Sequence, residues 1–124
     1  MSRILIAEDE DSLRSLVQRA LALDGHEVSV APDGAEALEM LGAEPERFDL
    51  LLADIKMPVM DGIALALAAA RDHPELIILL MTGYADQRER AQGLDALVHD
   101  VITKPFTLAQ IRQAVTGALA TRNQ

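Results

Sequence analysis

Residues 76–81 read "LIILLM", with no polar residue among them. A strand that faces water on one side alternates apolar and polar residues. One that is apolar throughout is covered on both faces, the mark of a parallel sheet lying between layers of helix. Other short apolar runs read as strands at 4–7, 28–31, 50–53 and 98–103. Helical spacing fills the gaps between them. Leu13, Leu16, Val17, Ala20 and Leu21 fall at i, i+3, i+4, i+7 and i+8, one face of a helix that Gly25 stops. Asp33 can cap a second helix ending near Gly42. A third runs from Gly62 to about Arg71 and ends before Pro74. A fourth, polar one falls within 86–94. The fifth opens on Thr107-Leu-Ala-Gln110, a capping box, and carries Leu108, Ile111, Val115 and Leu119 as its apolar stripe.

Strand and helix thus alternate five times. The pattern predicts an α/β fold: a doubly wound, five-stranded parallel sheet in the flavodoxin-like order 2-1-3-4-5, with helices on both faces. The 124 residues suit one domain, and a hydrophobic fraction of 50% suits one core. No linker or low-complexity segment interrupts the pattern.

Asp and Glu number 20 against 11 Lys and Arg, for a formal charge of -9. That balance argues against general nucleic-acid binding, which needs a basic face, and favours basic or metal-ion partners. The absence of cysteine excludes disulfides, thiolate zinc sites and thiol catalysis. No apolar run approaches the roughly 20 residues of a membrane helix. "MSRILIAEDE" at the N-terminus lacks a signal-peptide core, so a cytoplasmic, non-membrane protein is expected.

In such a sheet, ligands bind beyond the carboxyl ends of the strands, beside the reversal in strand order. Glu8 and Asp9 follow the first strand, and Asp54 with "IKMPVMDG" follows the third. The fourth ends at Thr82-Gly83 and the fifth at Thr103-Lys104-Pro105. The second gives only "PDG", a turn and cap. Four contiguous strands therefore bring acid, acid, hydroxyl and ammonium to one rim. The run "ILIAEDED" at 4–11 places four acids directly after a buried strand. Such crowding marks either a solvated loop or a place for a cation. Glu10 and Asp11 read as a solvated helix start, which the helix dipole favours. His26, His73 and His99 are scattered and show no metal-ligand spacing.

The motifs "ILIAEDE", "DLLLADIKMPVMDG", "LLMTGYAD" and "ITKPF", in this order and spacing, carry a resemblance. Over essentially its whole length the sequence resembles the receiver domain of two-component response regulators (CheY-like). With nothing after the receiver, it is similar to stand-alone regulators of the CheY, DivK or CpdR kind. "MTGYADQRERAQGLDALVHDVITKPF" is most similar to alphaproteobacterial CpdR-like proteins.

The resemblance implies one receiver domain over 1–124 with no output domain. It makes Asp54 the phosphoacceptor, with Thr82 as a hydroxyl donor and Lys104 as a fixed positive charge beside the phosphoryl group. It implies Mg2+ bound directly by Asp9, Asp54 and the backbone carbonyl of Lys56, with Glu8 acting through a water. A cation is needed because a phosphoryl group brings roughly -1.5 to -2 of charge into an acidic site. Glu8 departs from the family's commoner aspartate by one methylene. Gly83 leaves room for phosphate at its backbone amide, and a cis bond is expected before Pro105. Asp61-Gly62 reads as a turn and helix start.

By the same resemblance, a histidine kinase or histidine phosphotransfer protein donates the phosphoryl group. A downstream protein target, and not nucleic acid, reads the face of the fourth helix, fifth strand and fifth helix; that face also allows a homodimer. Val101 stands where many receivers carry a switching aromatic. Tyr84, the nearest aromatic, is expected either to switch or to cover the site and, with Lys56, to govern access of hydrolytic water. The expected function is a phosphorelay response regulator: a phosphoacceptor that can label itself from small donors and lose the phosphate again, but not an enzyme that turns substrate over. Two alternatives stand beside it. One is a phosphorylation-independent binding module on the same fold. The other is an aspartyl-phosphate hydrolase, against which Lys56 stands where a second acid would be wanted, in a chain too short for a substrate cap.

Overall fold

A computed structural model of the chain describes residues 2–44, 46–83, 91, 93–94 and 96–122. Along the chain run β1 (Arg3–Ala7), α1 (Asp11–Leu23), β2 (Glu27–Ala31), α2 (Gly34–Ala43), β3 (Leu50–Asp54), α3 (Gly62–Asp72), β4 (Ile77–Thr82), β5 (Asp100–Thr103) and α4 (Leu108–Arg122). The helix expected within 86–94 falls largely outside the described residues, so the C-terminal helix is α4 here. All strand pairs are parallel and the order is β2-β1-β3-β4-β5, as the alternation predicts. The flavodoxin-like doubly wound sheet is therefore present.

The apolar runs lack alternation because successive side chains enter two different cores. Leu5, Leu51, Ile78 and Leu80 pack on one face with Ala37 and Leu41 of α2 and Leu65, Ala66 and Ala69 of α3. Ile4, Ile6, Leu52, Leu79 and Met81 pack on the other with Val17 and Leu21 of α1 and Ile111, Val115 and Ala118 of α4. Two stripe residues are corrected. Leu16 is 49% exposed, because the face of α1 that meets the sheet centres on Val17 and Leu21, and Leu16 lies about 100° round from Val17. Leu108 is also exposed, as the first residue of α4, and Ala118 is buried in the stripe instead.

The expected caps form. Asp33 accepts from the Glu36 N–H and Asp61 from the Ala64 N–H, each at 2.8 Å. The capping box is reciprocal: Gln110 N–H donates to Thr107 Oγ1 at 3.0 Å, and Thr107 N–H to Gln110 Oε1 at 2.7 Å. Past α1, Gly25 takes φ 90. β3 and β4 each run one residue beyond the expected strand, so Asp54 and Thr82 end their strands; β5 begins only at Asp100. Among the described residues no helix is long and apolar enough to cross a membrane.

Candidate phosphoacceptor and cation site

The parallel register builds the site. Ala7 lies opposite Ala53, Asp54 opposite Met81 and Thr82 opposite Thr103. The residues at and just beyond these pairs therefore meet at one end of the sheet. Asp54 is 6% exposed and Glu8 1% exposed; Thr82 is buried and Asp9 is exposed. Carboxylate oxygens of Glu8, Asp9 and Asp54 lie within 4.8 Å of one another. Lys104 reaches across from β5: its Nζ stands 2.8 Å from Asp54 Oδ2 and 3.1 Å from Glu8 Oε1. The Lys104 N–H donates to the Thr82 carbonyl at 2.7 Å, and the Lys104–Pro105 peptide is cis, as expected. These groups open on a cleft of about 600 Å³ that Glu10, Lys56 and Gly83 also line. A Cβ added at Gly83 would meet nothing nearer than 3.9 Å, so the cleft is open on that side.

The charges are unbalanced. Burial, first, then the charge and hydrogen bond of Asp54 and the hydrogen bond of Asp9, push the Glu8 carboxyl up to about 7, against the pull of Lys104. Burial alone would lower the pKa of Lys104. Its hydrogen bond and charge interaction with Asp54, then those with Glu8, outweigh that and raise it. The Lys104 ammonium thus bonds two of the three clustered carboxyl groups, Glu8 and Asp54, and a divalent cation beside Asp9 would add positive charge to the acidic cluster. Mg2+ holds oxygens at 2.0–2.1 Å in an octahedron, so its ligand oxygens stand about 2.9 or 4.1 Å apart. Carboxylate oxygens of Asp9 and Asp54 within 4.8 Å of each other could meet one such ion, with the Glu8 oxygen as near to them acting through a water of its shell.

The structure thus gathers Glu8, Asp9, Asp54, Lys56, Gly83 and Lys104 around one cleft, with Thr82 at the end of β4 and Pro105 after Lys104. Val101 lies on β5 opposite Leu80 and packs, half-buried, against the core beneath α2 and α3. Tyr84 lies outside the described residues. His26, His73 and His99 each precede a strand, at the opposite end of the sheet.

Two glycines were not legible as site residues. A Cβ at Gly62 would overlap the carbonyl oxygen of Asp54, and one at Gly34 the carbonyl oxygen of Met60. Gly62 N–H also donates to Ile55 O at 2.8 Å. The loop after Asp54 is therefore gripped at both ends. Within it Val59 takes φ 68 at the centre of a γ-turn closed by Met60 N–H and Pro58 O at 2.7 Å. Both glycines follow an aspartate, in "PDG" and "MDG", but the same pair recurs at Asp24-Gly25, whose glycine only ends α1, so the pair does not single them out.

Residues 4–116 match the response regulator receiver domain family. The chain belongs to that family. Over 109 residues it is 37% identical to response regulator MprA of Mycobacterium ulcerans, covering 88% of this chain and 46% of that protein. MprA of Mycobacterium avium is 36% identical over the same share of this chain and 47% of its own length. The chain therefore spans about half the length of these curated relatives. Among solved structures, a CheY-like receiver domain protein from Methanospirillum hungatei superposes with a TM-score of 0.90 at 29% identity, over 99% of this chain and 97% of that one. TrrA of Thermotoga maritima, in complex with Mg(2+)-BeF, gives 0.83 at 27% identity over 95% and 99%. These likenesses carry the receiver family and not the narrower CpdR-like assignment. Receivers bind Mg2+ at an acidic pocket, and the acidic cluster of this receiver is Glu8, Asp9 and Asp54.

Proposed function

We propose that this receiver accepts a phosphoryl group on Asp54 from the phosphohistidine of a histidine kinase or phosphotransfer protein, and signals by binding a downstream protein differently once phosphorylated. The observation that carries this is the Asp54 carboxylate, buried at the end of β3, 2.8 Å from Lys104 Nζ and grouped with two further acids. In the transfer, an Asp54 oxygen attacks phosphorus, a P–O bond forms, the P–N bond to the donor imidazole breaks with its electron pair going to nitrogen, and the imidazole leaves neutral, keeping the proton already on its other ring nitrogen. Such a reaction needs positioning and charge control more than covalent help. Lys104 holds a positive charge at the carboxylate, and Thr82 offers a hydroxyl to the transferred group. Asp9, Asp54 and the Lys56 carbonyl would hold Mg2+, with Glu8 behind a water; the cation supplies charge to the incoming phosphoryl oxygens. That TrrA, a similar receiver, forms a complex with Mg(2+)-BeF supports Mg2+ as the ion.

The bound phosphate biases the domain through contacts it makes in one conformation and not the other. Val101, stiff and packed against the core, supports a switch that does not rotate an aromatic at that position. The acidic balance supports a protein and not a nucleic acid as the target; in this reading the target lies in the cytoplasm and meets β5, α4 and the segment before β5. The domain acts as a phosphoacceptor, labelling itself from small donors and losing the phosphate, without substrate turnover. Incubation with acetyl phosphate and Mg2+ tests this by intact mass. One phosphoryl addition is expected in the wild type and none in Asp54→Asn. Equal labelling of the two proteins overturns the assignment; continuous release of phosphate marks the hydrolase, and no labelling at all the phosphorylation-independent module.

A further inference from the structure

Arg14 stands in the first turn of α1, just after four consecutive acids. A cation there runs against the helix dipole, which favours negative charge at an N-terminus. Its side chain is only 19% exposed and spans two anchors. Nη1 donates to the backbone carbonyl of Glu8 at 2.9 Å, and Nη2 pairs with Asp11 Oδ1 at 2.6 Å. The first anchor belongs to the peptide that joins Glu8 to Asp9. The tilt of that peptide sets the direction in which Asp9 leaves the end of β1. The second anchor, with the Arg14 N–H to Glu10 carbonyl bond at 2.9 Å, ties the same point to the start of α1.

We propose that Arg14 is a positioning residue for the cation site: its guanidinium holds the Glu8–Asp9 peptide so that the Asp9 carboxylate stands with those of Glu8 and Asp54. This rests on the cation reading above. Arg14 exerts two opposite influences. As a charge it repels a nearby divalent ion; as a planar fork it orders the ion's ligands. Lysine keeps the charge but cannot span both anchors in that geometry. Mg2+ demands a near-ideal octahedron, whereas Ca2+ accepts more ligands in a flexible arrangement. Disordering the ligands therefore harms Mg2+ more than Ca2+, while a change of charge alone moves both ions together.

Titration calorimetry of wild type, Arg14→Lys and Arg14→Ala with Mg2+ and with Ca2+ tests the proposal, with far-UV circular dichroism confirming that each variant folds. Mg2+ affinity should fall about 10-fold in both variants, the usual scale for groups that hold a metal's ligands from behind. Ca2+ affinity should fall much less. Unchanged or tighter Mg2+ binding, or equal losses for the two ions, overturns the role of Arg14. Where Arg14→Ala does not fold, Arg14→Lys, which keeps the charge and most of the stem, decides alone. If the wild type binds neither ion, the cation reading itself fails and takes this proposal with it. Wild-type binding with unaltered variants removes only Arg14.

Discussion

Glu8 shows how burial beside other acids alters a carboxyl group. Its side chain is almost wholly buried, and its two oxygens divide between Lys104 Nζ at 3.1 Å and the Glu10 N–H at 3.4 Å. In the folded protein this carboxyl keeps its proton up to about pH 7, while its ordinary value is 4.5. Between those values the folded form binds more protons than the unfolded one, so stability falls as pH rises. The contribution is complete below about 4.5 and lost once pH passes about 7. Urea denaturation of the metal-free protein at a series of pH values is expected to show this fall in the wild type. Glu8→Gln, whose amide does not titrate, should be flatter over the same window. Parallel curves for the two proteins would remove Glu8 as the source.

Elements meet the site through backbone contacts that side-chain patterns do not announce. α3 begins with Gly62 pressed on the carbonyl of Asp54, so the helix start and the phosphoacceptor share one position. Gly62→Ala forces backbone against backbone, and overpacking of this kind costs about 1–3 kcal/mol. Its loss should appear both in the urea midpoint and as reduced acetyl phosphate labelling of Asp54. Gly117, inside α4, has open space where a Cβ would go. Gly117→Ala should instead stabilise by about 0.5–1 kcal/mol through helix propensity, with labelling unchanged. If both substitutions shift stability alike, the close approach at Gly62 is not what sets its effect. At the N-terminal cap of α4, Thr107→Ala removes one half of the reciprocal cap and should cost about 1 kcal/mol in the same measurement.

For the whole molecule, the sheet is the constraint that holds unlike charges and like charges at fixed distances. β1, β3 and β4 are buried on both faces, so their carboxyl ends cannot separate to relieve repulsion among Glu8, Asp9 and Asp54. Mg2+ relieves it instead, and an ion that binds only the folded state stabilises it by about 2.7 kcal/mol at one hundred times its dissociation constant. Thermal melting should therefore rise with Mg2+, and much less in Asp9→Ala. An equal rise in both proteins would place the cation elsewhere.

What the sequence by itself determined was periodic and local. "LIILLM" announced a strand covered on both faces, the fivefold alternation announced the parallel order, and Asp33, Asp61 and Thr107 announced their caps. The rim residues were legible for the same reason, since each directly follows or ends an apolar run. What only the tertiary structure decided was through-space. Periodicity put Leu16 on the inner face of α1, but the width of the contact with the sheet left it in water. Lys104 lies 96 residues from Glu8 and 50 from Asp54 in the chain, and its sharing between them depends on the register of four strands. Gly34, Gly62 and Arg14 matter because of which carbonyl each one meets. Chain spacing records how often a residue returns to a face, whereas a contact with a backbone oxygen is set by how the packed layers settle against each other.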